Sequence, residues 1–157
     1  MRILGVDPGL TTAGLGLIEV GKRRDCTAVE WLTITTDKAL PLALRLAELS
    51  ADLQEFLDDA KPELAVVEKL FFATNKQSAM ETAQARGVIL AVLAARGIEV
   101  IEVTPLQLKS AIAGDGKADK KQMQSMVIRA LKLTEIPTPP DAADALAMAL
   151  YGAFTHR

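Results

Sequence analysis

The sequence predicts an α/β fold in which a mixed five-stranded sheet is flanked by helices. Three strand-like segments come first, at residues 2–7, 13–20 and 27–36, and their short connections favour antiparallel pairing. Strand-like and helix-like segments then alternate, which is typical of parallel strands joined by helical crossovers. The chain has 157 residues, of which 50% are hydrophobic, so we expect one domain spanning residues 1–157.

In the first two thirds of the chain, short sequence signals predict where each strand and helix begins or ends. Pro8 and Gly9 stop the apolar run of the first strand, and a turn at residues 21–25 joins the next two strands. Leucines at helical spacing predict a helix at residues 40–60. The elements that follow are a short strand ending at Glu68, a helix at 77–96 that Gly97 ends, and a strand at 98–103.

The last third is predicted to be helical. Thr104-Pro105-Leu106-Gln107 has the form of a capping box with proline at the first helical position, so a helix starts there and breaks at residues 114–116. A second helix covers residues 118–131. Thr138 is placed to cap a final helix that begins near Pro139.

Charge is distributed unevenly along the chain, whose net charge is −2. Residues 44–68 contain seven acidic and two basic residues, whereas residues 104–133 contain six basic and two acidic ones. The first segment is expected to be a solvated acidic face, and the second is a basic patch, which permits a polyanionic ligand. The lone cysteine, Cys26, suits a reducing cytoplasm. We expect no secretion signal before the strand that starts at Arg2, and no apolar run reaches the roughly 20 residues of a membrane helix.

Four acidic residues lie where carboxylates are costly. Asp7 and Glu68 each end an apolar run, and Asp141 and Asp144 share one face of an alanine-rich helix because they are three residues apart. An apolar element that carries a carboxylate is destabilised unless the group is paired or bound to a metal. Like charges about 4 Å apart repel by roughly 1 kcal/mol in water and about 4 kcal/mol at an effective dielectric of 20. Four such groups brought together predict a hard cation such as Mg²⁺.

Taken one at a time, the four acids are not equally strong evidence for a metal site. Asp7-Pro-Gly is also a common turn sequence, and Glu68 is also readable as a strand-end charge that reaches water. Asp141 would favour the start of a helix through the helix dipole. Asp144 has no such structural reason, so the pair is more informative than either member.

Several short motifs occur in a specific order and spacing. They are Asp7-Pro-Gly, Val67-Glu68-Lys-Leu-Phe71, Gln84-Ala-Arg-Gly87, Gln107-Leu-Lys109, Ala118-Asp-Lys120 and Asp141-Ala-Ala-Asp144-Ala-Leu. Through these motifs the chain resembles the RuvC Holliday-junction resolvases of bacteria over nearly its whole length.

The resemblance implies a ribonuclease H-like (retroviral-integrase-like) fold and a homodimer that cuts four-way DNA junctions by paired symmetric nicks in recombination and repair. It implies Mg²⁺-dependent catalysis in which Asp7, Glu68, Asp141 and Asp144 are the catalytic and metal-binding residues. The needs of phosphodiester hydrolysis favour two Mg²⁺ ions per site, with Mn²⁺ as a substitute. The branch-migration proteins RuvA and RuvB are the partners that the resemblance suggests. For two-metal hydrolysis we expect Asp7 to bridge the ions, between Glu68 on one side and the aspartate pair on the other.

Candidate DNA contacts are basic or aromatic. Lys109 and Lys120 match family positions that approach DNA, and Lys121 adjoins them in the basic patch. Phe71 and Phe72 cannot both face the core of a strand, because successive side chains point to opposite faces. One of the two is a candidate for stacking on an unpaired base, and the resemblance favours Phe71.

A four-way junction has approximate two-fold symmetry, which a C2 dimer would match with two equivalent sites. Along the helix at 77–96 lie the small residues Ala79, Ala83, Gly87, Ala91 and Ala94. We expect the dimer contact there, although the same residues would also suit packing on the sheet.

Other classes remain open on the residues alone. Asp7-Pro-Gly-Leu-Thr11 also looks like a phosphate loop of actin- and hexokinase-like ATPases, although 157 residues leave little room for the second domain those proteins need. A ribonuclease H-like nuclease that processes RNA would use the same metal site. A junction-binding scaffold without catalysis is disfavoured, because it gains nothing from four clustered acids.

Overall fold

A five-stranded sheet with helices on both faces forms the fold. The computed structural model describes residues 1–23, 25–69 and 76–156. Its elements are β1 (Arg2–Asp7), β2 (Thr12–Val20), β3 (Cys26–Thr35), α1 (Leu42–Ala60), β4 (Leu64–Glu68), α2 (Lys76–Ala95), β5 (Glu99–Val103), α3 (Pro105–Ala113), α4 (Lys120–Leu131) and α5 (Pro140–Thr155). Among the residues described, no helix is long and apolar enough to cross a membrane.

The strand order is β3-β2-β1-β4-β5, with β1, β2 and β3 antiparallel and β1, β4 and β5 parallel. This confirms the predicted mixed sheet. Because β1 and β4 are neighbouring parallel strands with Val6 opposite Val67, their carboxyl ends lie side by side. The residues at those ends are Asp7 and Glu68.

Two apolar clusters cover the two faces of the sheet. Leu4 and Val6 of β1 pack in the cluster that includes the leucines of α1 and α2, whereas Ile3 packs in the cluster with α3, α4 and α5. Side chains alternate along a strand, so Asp7 lies on the same face as Ile3. In β4 the same alternation puts Glu68 on the face of Val66, which belongs to the second cluster. Both acids therefore point toward the side of the sheet that α5 covers.

Helix α5 approaches this face unusually closely because glycines replace side chains beneath it. A Cβ on Gly5 would lie 1.8 Å from the carbonyl oxygen of Ala145, and a Cβ on Gly14 would lie 2.0 Å from that of Asp141. A Cβ on Gly16 would lie 2.6 Å from the amide nitrogen of Leu146. No side chain fits in these gaps, so the glycines of β1 and β2 permit the observed distance between helix and sheet.

The predicted boundaries agree with the structure to within about two residues, with one wrong assignment. Thr138 does not cap the last helix: Pro139 is the N-cap, and no side chain caps α5. Proline occupies both the cap and the first helical position, and a proline at the first position has no N–H to leave unsatisfied. The predicted capping box at Thr104 and Gln107 is present, and a second one, from Asp119 to Gln122, begins α4.

We expect Gly5→Ala to lower the free energy of unfolding by about 3 kcal/mol or more, because the added methyl collides with helix backbone and not with a movable side chain. Urea denaturation measures the change. Gly116→Ala is the control, since its Cβ would meet only side-chain atoms of Leu106 and Ser110. Equal stability of the two variants would contradict the proposed close packing.

Candidate metal centre

Three aspartates converge at the ends of β1 and α5. One carboxylate oxygen from each of Asp7, Asp141 and Asp144 lies within 4.8 Å of the others, and all three residues are half-buried. Oxygen atoms at such separations suit a hard divalent cation, which takes carboxylate ligands at about 2–2.6 Å. The described residues thus contain a cluster that is suited to holding a metal ion.

The helix geometry explains how two of these carboxylates reach the same point. Asp141 lies in the first turn of α5, and Asp144 follows one turn later on the same face. Gly14, which is opposite Asp7 in the β1–β2 ladder, leaves room for the backbone of Asp141 directly above it. The first turn of α5 is consequently seated against the end of β1.

Glu68 reaches the same cavity from the neighbouring strand. It lines a cavity of about 240 Å³ together with Asp7 and Asp144. Glu68 does not belong to the group of three close aspartate oxygens. Its charge nevertheless raises the pKa of Asp7, and the charge of Asp144 raises the pKa of Glu68. The structure therefore brings all four predicted acids to one region, with three in contact range of a single ion and the fourth beside them.

Burial and mutual repulsion weaken the acidity of the cluster. Burial first, and then the charges of Glu68, Asp144 and Asp141, raise the pKa of Asp7 from 3.8 to about 8. Burial and the charge of Asp144 raise the pKa of Glu68. Burial also raises the pKa of Asp144, with Lys120 acting in the opposite direction and Asp141 adding to the rise. These shifts are the electrostatic cost of assembling the site without a cation.

Two of the predicted lysines border the acids. Lys109 of α3 and Lys120 of α4 line the cavity, and apolar residues such as Leu108 and Met148 line it as well. Lys120 is the first residue of α4, and it is close enough to Asp7 to lower the pKa of that carboxyl. Lys121 lines a separate depression on α4. The predicted contacts at Phe71 and Phe72 lie outside the described residues.

Sequence reasoning missed a buried arginine that supports the loop after Asp7. Arg45 of α1 is only 8% exposed, and it donates hydrogen bonds of 3.1 Å to the hydroxyls of Thr36 and Thr11. The charge pattern of its segment predicts a solvated face, and for Arg45 that prediction is wrong. The available signal is spacing: Arg45 lies one turn before Leu49 on the buried stripe of the helix.

The fold and the site together define a class, namely a ribonuclease H-like α/β protein with a carboxylate cluster at the ends of adjacent strands. The family model described as "Crossover junction endodeoxyribonuclease RuvC" matches residues 3–152. The chain belongs to this RuvC family. The expected family resemblance and the ribonuclease H-like fold are thereby confirmed.

Relatives that carry the RuvC name are similar in sequence to this chain over almost its full length. The crossover junction endodeoxyribonuclease RuvC of Syntrophomonas wolfei is 45% identical over 159 residues, covering 100% of this chain and 91% of that protein. That of Renibacterium salmoninarum is 44% identical over 150 residues, covering 96% of this chain and 78% of the relative.

Solved structures of Holliday-junction resolvases are also similar to the structure of this chain. T. thermophilus RuvC in complex with Holliday junction substrate has a TM-score of 0.92 and 34% identity, covering 98% of this chain and 93% of that one. The yeast mitochondrial resolvase Ydc2 has a TM-score of 0.72 at 16% identity, covering 96% of this chain and 77% of that one, and shares the fold.

We expect Asp7→Asn to stabilise the metal-free protein at neutral pH. The pKa of Asp7 in the folded protein, about 8, lies above its ordinary value of 3.8. The folded state therefore binds the proton more tightly than the unfolded state, and stability falls as the pH rises from about 4 to about 8. One pKa unit corresponds to about 1.4 kcal/mol and screening removes part of this, so the gain at pH 7 should be about 2 kcal/mol.

The measurement is urea denaturation in EDTA at pH 5 and pH 8. Asp52→Asn, on the exposed side of α1, is the control and should change stability little at either pH. Saturating Mg²⁺ should narrow or reverse the difference, because only wild type retains the full set of ligands. A stability gain for Asp7→Asn that is the same at pH 5 and pH 8 would rule out the proposed origin.

Proposed function

We propose that this chain is a structure-selective endonuclease that resolves four-way DNA junctions in recombination and repair by metal-dependent phosphodiester hydrolysis. One observation carries the proposal: a member of the crossover junction endodeoxyribonuclease family brings three aspartate carboxylates within 4.8 Å, next to a fourth acid and two lysines. Family membership indicates the substrate, and the acids indicate the chemistry.

The residues present fit a divalent cation by their donor type. All four acids offer only carboxylate oxygens, which favour Mg²⁺ or Mn²⁺ over softer metals. Burial first, and then mutual repulsion, raise the pKa values of Asp7, Glu68 and Asp144, and Lys120 opposes the rise at Asp7 and Asp144. A bound cation would favour the charged forms of these groups. We assign Mg²⁺ as the physiological ion and Asp7, Glu68, Asp141 and Asp144 as its ligands.

The proposed division of roles follows the positions of the acids. Asp7 is central, because its pKa responds to each of the other three carboxylates, and it would help to hold every bound ion. Asp141 and Asp144 would complete one ion site, and Glu68 the other. Bound divalent ions supply a deprotonated water and neutralise charge on the phosphate and on the leaving oxygen. The side chains would position the scissile phosphate, and apolar lining residues such as Leu108 and Met148 would limit water in the cavity.

We assign the DNA backbone to the lysine side of the cavity. Lys109 and Lys120 line it, so a phosphate that reaches the acids would also meet their ammonium groups. Lys120 has the further advantage of lying at the start of α4, where backbone N–H groups favour anions. Lys121 would contact phosphate farther from the cut, and Phe71 remains the predicted stacking residue.

We also propose a homodimer through α2. Ala83, Gly87, Ala91 and Ala94 are exposed on this helix, and a Cβ on Gly87 would meet nothing within 4 Å. Exposed small residues on one helix allow another helix to approach closely, and a C2 pair provides the two cuts that resolution requires. A monomeric mass by light scattering at micromolar concentration would exclude this arrangement.

RuvA and RuvB stay expected partners on family membership alone.

The function is tested by the choice of substrate. We expect Mg²⁺-dependent cleavage of a synthetic four-way junction, with little cleavage of duplex DNA or an RNA–DNA hybrid. Asp7→Asn should abolish cleavage yet bind the junction with near wild-type affinity in gel-shift titrations. Preferential cleavage of the hybrid would favour the RNA-processing alternative, and cutting by Asp7→Asn would remove the proposed metal site.

We expect Lys120→Ala to weaken junction binding and to reduce its salt dependence. A lost phosphate contact lowers the slope of log affinity against log salt concentration by about 0.9 for duplex arms. Fluorescence anisotropy in Ca²⁺ at several salt concentrations measures both quantities. Lys22→Ala, at an exposed turn, should match wild type, and the assignment fails if the two variants behave alike.

A further inference from the structure

Helix α2 contacts the end of strand β4 through one arginine. The Nε of Arg86 donates a hydrogen bond of 2.8 Å to the carbonyl oxygen of Glu68. A terminal nitrogen of the same guanidinium forms an ion pair with the carboxylate of Glu102 in β5. The Arg86 side chain is 16% exposed and that of Glu102 is 42% exposed, so the hydrogen bond to the Glu68 carbonyl is partly buried and the ion pair is accessible to water. Arg86 thereby connects α2, β4 and β5 at the position of a proposed metal ligand.

In the described part of the chain, the two strand ladders of β4 end at or just before Glu68. The β1–β4 ladder ends at Val6 and Val67, and the β4–β5 ladder ends at Glu68 and Val103. Strand β4 ends at Glu68, and the N–H of Lys69, in the same peptide unit as the Glu68 carbonyl, donates to the carbonyl of Val103 at 2.8 Å. The direction of the Glu68 carboxylate depends on how the backbone of Glu68 is oriented, because its side chain and its carbonyl group are attached to the same Cα.

We infer that Arg86, anchored by Glu102, is a positioning residue that fixes the backbone of Glu68 and so directs its carboxylate to the cation site. The inference rests on the proposed function, since it requires Glu68 to be a metal ligand. Guanidinium geometry suits this role, because its nitrogens lie in one rigid plane and bind a carbonyl and a carboxylate simultaneously. Partners behind a metal ligand commonly affect metal affinity in this way.

Charge alone predicts the opposite result. A positive charge near a cation site opposes cation binding, so its removal should tighten binding or leave it unchanged if Arg86 acted only electrostatically. Loss of positioning should weaken binding. The sign of the change in cation affinity therefore distinguishes the two roles.

The chain offers a matched control in Arg96, just beyond the other end of α2. Arg96 also pairs with one carboxylate, that of Asp58 at 2.6 Å, and donates to one backbone carbonyl, that of Gln54 at 3.0 Å. Its partners lie on α1, away from the acids. Arg96→Ala thus removes the same kinds of contact without touching β4.

The experiment measures Mn²⁺ binding to full-length protein without DNA, by the electron paramagnetic resonance signal of free Mn²⁺. We expect Arg86→Ala to bind Mn²⁺ about tenfold more weakly than wild type, and Arg96→Ala to bind it like wild type. Arg86→Lys should also bind weakly, because one ammonium group cannot replace two separated nitrogens. Thermal unfolding of each variant verifies that the fold is retained.

A double-mutant cycle with Glu68→Gln identifies the route of the effect. If Arg86 acts through Glu68, Arg86→Ala should add little further weakening in the Glu68→Gln background. Wild-type Mn²⁺ affinity in Glu68→Gln would overturn the metal role of Glu68 and with it part of the proposed function. Weak binding by Glu68→Gln, combined with wild-type binding by Arg86→Ala, would overturn only the role of Arg86. Tighter binding by Arg86→Ala, or fully additive losses in the double variant, would also overturn it.

Discussion

The contact between helix α5 and the glycines of the sheet determines where the chemistry of this protein takes place. Gly5, Gly14 and Gly16 leave no side chain beneath the helix, so its backbone lies almost against strands β1 and β2. The carboxylates of Asp141 and Asp144 are consequently delivered to the end of β1. Any side chain at the three glycine positions would lift the helix, and the acids of α5 would move away from Asp7.

The same packing creates an electrostatic strain that apolar contacts must offset. The acids are half-buried and close together, and the rise in the pKa of Asp7 to about 8 expresses this cost. The surrounding structure is correspondingly well fixed. On the far side of the sheet, Arg45 of α1 bonds Thr11 in the loop after Asp7, and Arg86 of α2 bonds the backbone at Glu68. Two helices that contribute no carboxylate thus contact the loop that follows Asp7 and the backbone at Glu68.

Much of this arrangement is predictable because local patterns encode it. Apolar runs that end in Asp7 and Glu68 identify two strand ends, and the order of elements implies that the strands are parallel and adjacent. A spacing of three places Asp141 and Asp144 on one helix face. Periodicity and topology thus account for each pair of acids, whereas the convergence of the two pairs in one region depends on the packing of α5 on the sheet.

The remainder depends on contacts between residues far apart in the chain. Arg86 meets Glu68 and Glu102 across 18 and 16 positions, and no periodic pattern indicates such a pairing. The residue type of Thr138 predicts a cap, but the prolines that follow it begin the helix without a side-chain cap. The glycines of β1 and β2 can be read from the sequence, but the sequence does not show that helix α5 packs against them. Tertiary packing decides each of these cases.

The crowding of four carboxylates around one cavity has a consequence for how the enzyme searches its substrate. A phosphate entering a cation-free cavity is repelled, and a cation there lacks the phosphate oxygens that would complete its coordination. Each partner therefore increases the affinity for the other, and thermodynamic linkage makes the increase mutual. If the acids and lysines act as we propose, the protein would hold DNA through lysines outside the cavity while its reaction centre is incomplete, and the centre would form only when a cation and a phosphate are present together.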